Sequence, residues 1–225
     1  MKLSVDTLSV LKNFASINQG IMFKKGKVLR TVSPHKNVMA EATVSDEFPT
    51  DFGVYDLNNF LSVLSLHKEE PTIDFQDNNV LISGLQGRSK IKYRFCAPGM
   101  LVAAPDKAIT MPDAEISFEL KAEDFDWVMK AASVLSSPNI AVESDGEKIY
   151  VSCFSSTDDS AHTTMTEVSD GNGNKFKAVF NTENLKMIPG TYDVEISSKG
   201  LAVFKSKDGS LTYWIAVESK YSKFG

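Results

Sequence analysis

A chain of 225 residues, 42% hydrophobic and 24% charged, is long enough for one large or two modest domains, and its composition excludes the disordered and fibrous classes. A formal charge of −5 and a pI near 5.3 argue against a conventional basic DNA-binding domain, so any anionic partner must meet a local patch. No signal-like apolar core and no apolar run of the roughly 20 residues needed to span a bilayer is present, so a cytosolic protein with no membrane partner is expected.

The first element is a helix over 5–17. Leu8, Val10, Leu11, Phe14, Ala15 and Ile17 fall on one broad face at 100° per residue, with Ser9, Lys12, Asn13 and Ser16 in a stripe opposite. Asp6 or Thr7 is placed to cap its start. Short β-branched runs follow at 21–25, 28–32 and 38–44, separated by Gly26 and by Ser33-Pro-His-Lys-Asn37, and read as a meander. Phe52-Gly-Val-Tyr55 leads into a second helix over 56–66, with Asn58, Ser62 and Ser65 as its stripe. Three more strands are expected near 72–75, 80–83 and 90–95.

Residues 98–112 begin and end with proline, lack either periodicity and read as an extended linker. The second half then repeats the first. A strand at 116–120 enters a third helix over 122–135, strands follow at 139–143, 148–152, 161–168 and 176–180, and a fourth, shorter helix is expected over 181–188. Three closing strands lie near 191–196, 201–204 and 211–217. The repeat distance, near 110 residues, is that of a domain duplication and not of a solenoid. An α+β fold follows, with two similar domains, 1–97 and 114–225, joined by a connector at 98–113, and two helices packed on antiparallel sheets in each domain.

The helix stripes carry small polar groups and the occasional cation: Lys12, Lys130, Lys186. Acidic residues gather in first turns, where they complement the helix dipole. Such a face could meet phosphates weakly without reading bases, or be an ordinary solvated surface. Trp127, at the edge of the third stripe, either packs on the sheet rim or meets a neighbour or DNA.

Catalytic and metal signals are thin. Ser155-Ser-Thr-Asp-Asp-Ser-Ala-His162 has the residue types of a triad, including Asp159 and His162, but it also has the composition of a polar turn. Asp170-Gly-Asn-Gly-Asn174 opens like a calcium loop, yet Lys175 stands where that loop needs glycine and Asn181 where it needs glutamate; a hairpin turn is expected instead. His35, His67 and His162 have no zinc-ligand spacing with Cys96 or Cys153, which read as buried reduced thiols.

Taken together, Met1-Lys-Leu-Ser4, Leu11-Lys-Asn-Phe-Ala15, Ile17-Asn-Gln-Gly-Ile-Met22, Tyr55-Asp-Leu-Asn-Asn-Phe-Leu61, Lys121-Ala-Glu-Asp124 and Lys186-Met-Ile-Pro-Gly-Thr-Tyr192 closely resemble the sliding clamps of T4-like bacteriophages. The resemblance spans the chain and is densest at helix starts. It implies a non-enzymatic DNA polymerase processivity factor without cofactor or metal: a homotrimeric ring around double-stranded DNA in the cytoplasm of an infected bacterium. Its implied partners are DNA polymerase, a clamp-loader ATPase and transcription factors. It places Lys12, Lys121, Lys130 and Lys186 at the lining, and a partner-peptide groove at Val102, Ile109, Met111, Pro112, Val217 and Tyr221, where the connector could equally pack on its own sheets. The other reading of the duplicated pattern is a non-enzymatic viral structural or interaction module that does not encircle DNA.

Overall fold

The computed structural model describes residues 1–67, 70–107 and 109–225. Ala108, part of the expected connector, lies outside them, as do Lys68 and Glu69. The chain falls into two compact units, Met1–Lys107 and Ala108–Gly225.

In the first unit, helix α1 (Val5–Ile17) is followed by strands β1 (Ile21–Phe23), β2 (Gly26–Val32), β3 (Val38–Phe48) and β4 (Phe52–Val54). Helix α2 (Leu57–Ser65) and strands β5 (Thr72–Phe75), β6 (Asn79–Gly84) and β7 (Ser89–Arg94) complete it. β2 pairs antiparallel with β3, β1 with β4, and β5, β6 and β7 form a sheet in that order. The backbones of Met1 and Ile73 exchange hydrogen bonds, so the amino terminus lies along β5.

The second unit repeats these connections. β8 (Ile116–Leu120) precedes helix α3 (Ala122–Val134), then β9 (Asn139–Asp145), β10 (Lys148–Phe154), β11 (Thr164–Asp170) and β12 (Lys175–Asn181). β13 (Tyr192–Ser197), β14 (Leu201–Ser206), β15 (Leu211–Ala216) and the short β16 (Lys223–Phe224) follow. β9 pairs with β12 as β1 does with β4, and β10 with β11 as β2 does with β3. β8 lies along β13 as Met1 lies along β5, and β13, β14 and β15 pair in the order of β5, β6 and β7. Matching pairings across both units are the structural form of the duplication read in the sequence.

The cores are aromatic. Phe23 is fully buried; its ring stacks on Phe52 at 4.3 Å and meets Phe48 at 4.8 Å. In the second unit Tyr192, itself buried, contacts Phe125, Phe204 and Tyr213 edge-on. Such pairs add to the stabilisation from buried area.

Four sequence expectations are corrected. The cap of α1 is Ser4, whose Oγ accepts from the Thr7 N–H at 3.2 Å, and not Asp6 or Thr7. Asp46, remote in sequence, holds Ser4 by accepting from its N–H and its hydroxyl at 2.8 Å each. Partial burial pulls the Asp46 carboxyl up, but the hydrogen bonds from Thr7 and Ser4 outweigh it and hold the group below the usual carboxylate range.

The fourth helix contracts to a single 3₁₀ turn, Thr182–Asn184. Pro189 disfavours helical geometry at Ile188, and two buried tyrosines hold that residue's backbone: the Ile188 N–H donates to the Tyr213 hydroxyl at 3.1 Å, and the Tyr192 hydroxyl donates to the Ile188 carbonyl. Leu185 and Met187 are then buried at a spacing of two, which a helix could not bury on one face. Burial pushes both phenols up.

The Gly/Asn segment after Asp170 is not a hairpin turn, because β11 pairs with β10 while β12 pairs with β9. The connection crosses the β9–β10 turn, where Gly171 N–H donates to the Glu147 carbonyl at 2.7 Å and Gly173 N–H to the Gly146 carbonyl at 3.0 Å. A Cβ at Gly171 would stand 2.5 Å from the Gly146 oxygen, so this crossing requires glycine. Of the two free thiols, Cys153 is buried as expected, whereas Cys96 is half-buried.

Candidate nucleic-acid interface

α1 and α2 pack against each other. Their solvent faces present Ser9, Lys12 and Ser16 from α1, and Asn58, Asn59, Ser62 and Ser65 from α2. Between them the two helices carry Asp6 and Lys12 as their charged side chains. Three of the four serine hydroxyls are turned to their own backbone: Ser16 donates to the Asn13 carbonyl at 2.6 Å, Ser62 to Asn58 and Ser65 to Ser62, both at 2.8 Å. Their protons are therefore engaged, and what they offer outward is acceptor oxygen, which does not attract phosphate. The surface is polar and nearly neutral, with Lys12, Asn58 and Asn59 as exposed donor side chains.

On α3 the exposed positions are Glu123, Asp126, Trp127, Lys130, Ser133 and Val134. Lys130 Nζ sits 2.5 Å from Asp126 Oδ2, an i,i+4 pair on the exposed face that weakens the pull of this cation on an incoming anion. Lys121 is exposed at the cap position of α3, and Lys186 is exposed just beyond the 3₁₀ turn. Trp127 is 44% exposed.

Val102, from the expected peptide groove, belongs to the first unit and is exposed; its carbonyl accepts from Asn18 Nδ2 at 2.9 Å. Its neighbour Leu101 seats against Gly20 and Gly53, where Cβ atoms would fall 2.6 and 3.0 Å from the leucine methyls. Ile109, Met111, Pro112 and Tyr221 are half-buried in the second unit, and Val217 there is buried, its N–H donating to the Gly200 carbonyl at 3.0 Å. Val217 is thus a core side chain and not an exposed one.

Within the triad-like run, Ser155 and Asp158 are spent on turn geometry. Ser155 Oγ accepts from the N–H groups of Thr157 and Asp158, and Asp158 accepts from Ser160, which holds its carboxyl low; Asp159 and His162 are exposed. Among the described residues no cluster of three or more His, Cys, Asp or Glu side chains could hold a metal, and no helix is long and apolar enough to cross a membrane.

Two family models match this chain: DNA polymerase processivity factor over residues 4–111, and gp45 sliding clamp, C terminal, over residues 117–219. The chain is 36% identical to the sliding clamp of Escherichia phage RB69 and, equally, to that of Enterobacteria phage T4, with 97% of each chain covered in both comparisons. Its fold is similar to a chain of the PCNA2-PCNA3 complex from Sulfolobus tokodaii, with a TM-score of 0.67, 15% identity and coverage of 95% of this chain and 96% of that one.

Proposed function

Because the chain belongs to the sliding-clamp family of phage DNA polymerase processivity factors, we propose that it encircles duplex DNA, holding it by topology and not by affinity, and so tethers a replicative polymerase. The observation that carries this reading is the solvent face of α1 and α2, which has Lys12 as its single cation and three serine hydroxyls turned inward. A lining of that kind tolerates phosphates without binding them firmly, as sliding demands. Lys12, Lys121, Lys130 and Lys186 are the cations we assign to it. The protein performs no bond chemistry in this role. The relationships do not favour the alternative of a duplicated assembly module.

The finer assignments are these. Clamp domains 1–97 and 114–225 are joined by the connector at 98–113. To polymerase and transcription-factor peptides we assign Val102, Ile109, Met111, Pro112 and Tyr221, with Val217 as a buried core residue. A clamp-loader ATPase opens the ring, and the protein acts in the cytoplasm of the infected host.

Enclosure has a direct test. Loaded by its ATPase onto nicked circular duplex, the protein should co-elute with DNA on gel filtration and be lost when one restriction cut linearises the circle. Equal retention on both forms would refute enclosure.

Closure into a homotrimer needs sheet edges, and β7 and β11 are edges of their sheets. β7 exposes Lys90, Lys92 and Arg94, while β11 exposes Glu167 and Asp170, so opposite charges would meet in a head-to-tail contact. Lys92→Glu with Arg94→Glu should raise the trimer dissociation constant at least ~10-fold in sedimentation equilibrium. Adding Glu167→Lys should recover part of that loss, and failure to recover would show that these edges do not meet.

A further inference from the structure

Helix α3 buries Phe125, Val128 and Ala132. At 100° per residue Glu123, Trp127, Lys130 and Val134 fall on the face turned away from them, and all four are exposed. The indole of Trp127 has neither a hydrogen-bond nor a ring partner among the described residues. It does not stand alone, because Val134, 83% exposed, lies on the same line of the helix two turns further on, ~10 Å along the axis. The chain's other tryptophan, Trp214, is 8% exposed. Leaving the larger part of an indole's burial unused forfeits apolar stabilisation that a contact with another molecule would recover.

What reaches this face follows from its place and its charge. It carries Lys121 and Lys130, both assigned above to the DNA-facing wall, and the inference rests on that reading. The exposed charges of the helix and its cap, Lys121, Glu123, Asp126 and Lys130, cancel, so the face has no excess of cations with which to hold the backbone of a duplex. An indole can stack on a base that has left its helix, and stacking depends neither on net charge nor on sequence. We propose that Trp127 is a stacking platform for unpaired bases of single-stranded DNA. Lys130, one turn along from Trp127, meets the adjoining phosphate; its ion-pair partner Asp126 lies on the flank away from the indole.

The test uses the full chain with linear oligonucleotides, which no ring can retain, so its result is independent of enclosure. Oligothymidylate of about 10 nucleotides should quench tryptophan emission saturably and bind at least ~10-fold tighter than a duplex of the same length. The same strand built of abasic residues keeps the phosphates, lacks the bases and should lose that gain. With a labelled strand followed by fluorescence anisotropy, Trp127→Ala should weaken binding at least ~10-fold, and Trp127→Phe should restore part of it. In Trp127→Ala the remaining emission, from buried Trp214, should not respond to the strand. Absence of saturable quenching, equal affinity for the abasic strand or the duplex, or undiminished binding by Trp127→Ala would overturn the platform. Retention on circular but not linear duplex is unaffected by any of these outcomes, so the platform and the enclosure stand or fall separately.

Discussion

Simultaneous replacement of Lys12, Lys121, Lys130 and Lys186 by glutamate should shorten processive synthesis at least ~10-fold at about 0.15 M salt, while the native mass of the assembly stays unchanged. The reason lies in how few cations the helices carry. With Asp6 and Lys12 as the charges on α1 and α2, reversing one lysine turns a neutral face into an anionic one, and repetition in every subunit of the proposed trimer multiplies the effect. Stability should change little, since all four side chains are exposed. Reversing the charge of Lys130, beside Asp126, would replace an attractive i,i+4 pair by a repulsive one, a matter of ~0.5 kcal/mol. Primer-extension length on a singly primed circle measures the first effect, and thermal melting with native mass spectrometry the second. Unchanged product length would remove these lysines from the lining.

Phe23→Ala should cost about 3–5 kcal/mol, enough to unfold much of the first unit at 37 °C. The ring is fully buried, lies parallel to Phe52 within 5° at 4.3 Å, and also meets Phe48 and Phe60. Its removal would leave a cavity bordered by three other rings, each rigid and unable to collapse inward, so the cavity cost adds to the lost transfer energy. Urea unfolding followed by circular dichroism should show an early transition absent from the parent chain. Ser9→Ala, on the exposed face of α1, should move stability by no more than ~0.5 kcal/mol. A Phe23→Ala variant as stable as the parent would mean that this aromatic cluster is not what holds the first unit together.

How far the fold can be read in advance depends on whether a signal is local. α1 and α3 are legible because one apolar face of 13 residues recurs at the helical period, and the strands because β-branched runs end at Gly, Pro and Asn. The cap of α1 is not, since Ser4 is held by Asp46, 42 residues away. The segment after Asn181 has helical spacing, yet Pro189 and two tyrosines from β13 and β15 impose another geometry on it. Asp170-Gly-Asn-Gly-Asn174 has hairpin composition, but the strand order decides that it crosses a neighbouring turn.

The site divides in the same way. Exposed lysines and small polar stripes are visible in residue types, whereas the inward turn of three serine hydroxyls, the burial of Val217 and the exposure of the Trp127 indole are not.

By itself, then, the amino-acid order determined the duplication, the α+β class, the family and a sparse cation set, because each is written in periodicity, composition or a motif carried within a few residues. Only the tertiary structure decided that one of four amphipathic segments would not become a helix, and which side chain caps α1. Those outcomes rest on hydrogen bonds and contacts between residues far apart in the chain, which local propensity neither contains nor opposes.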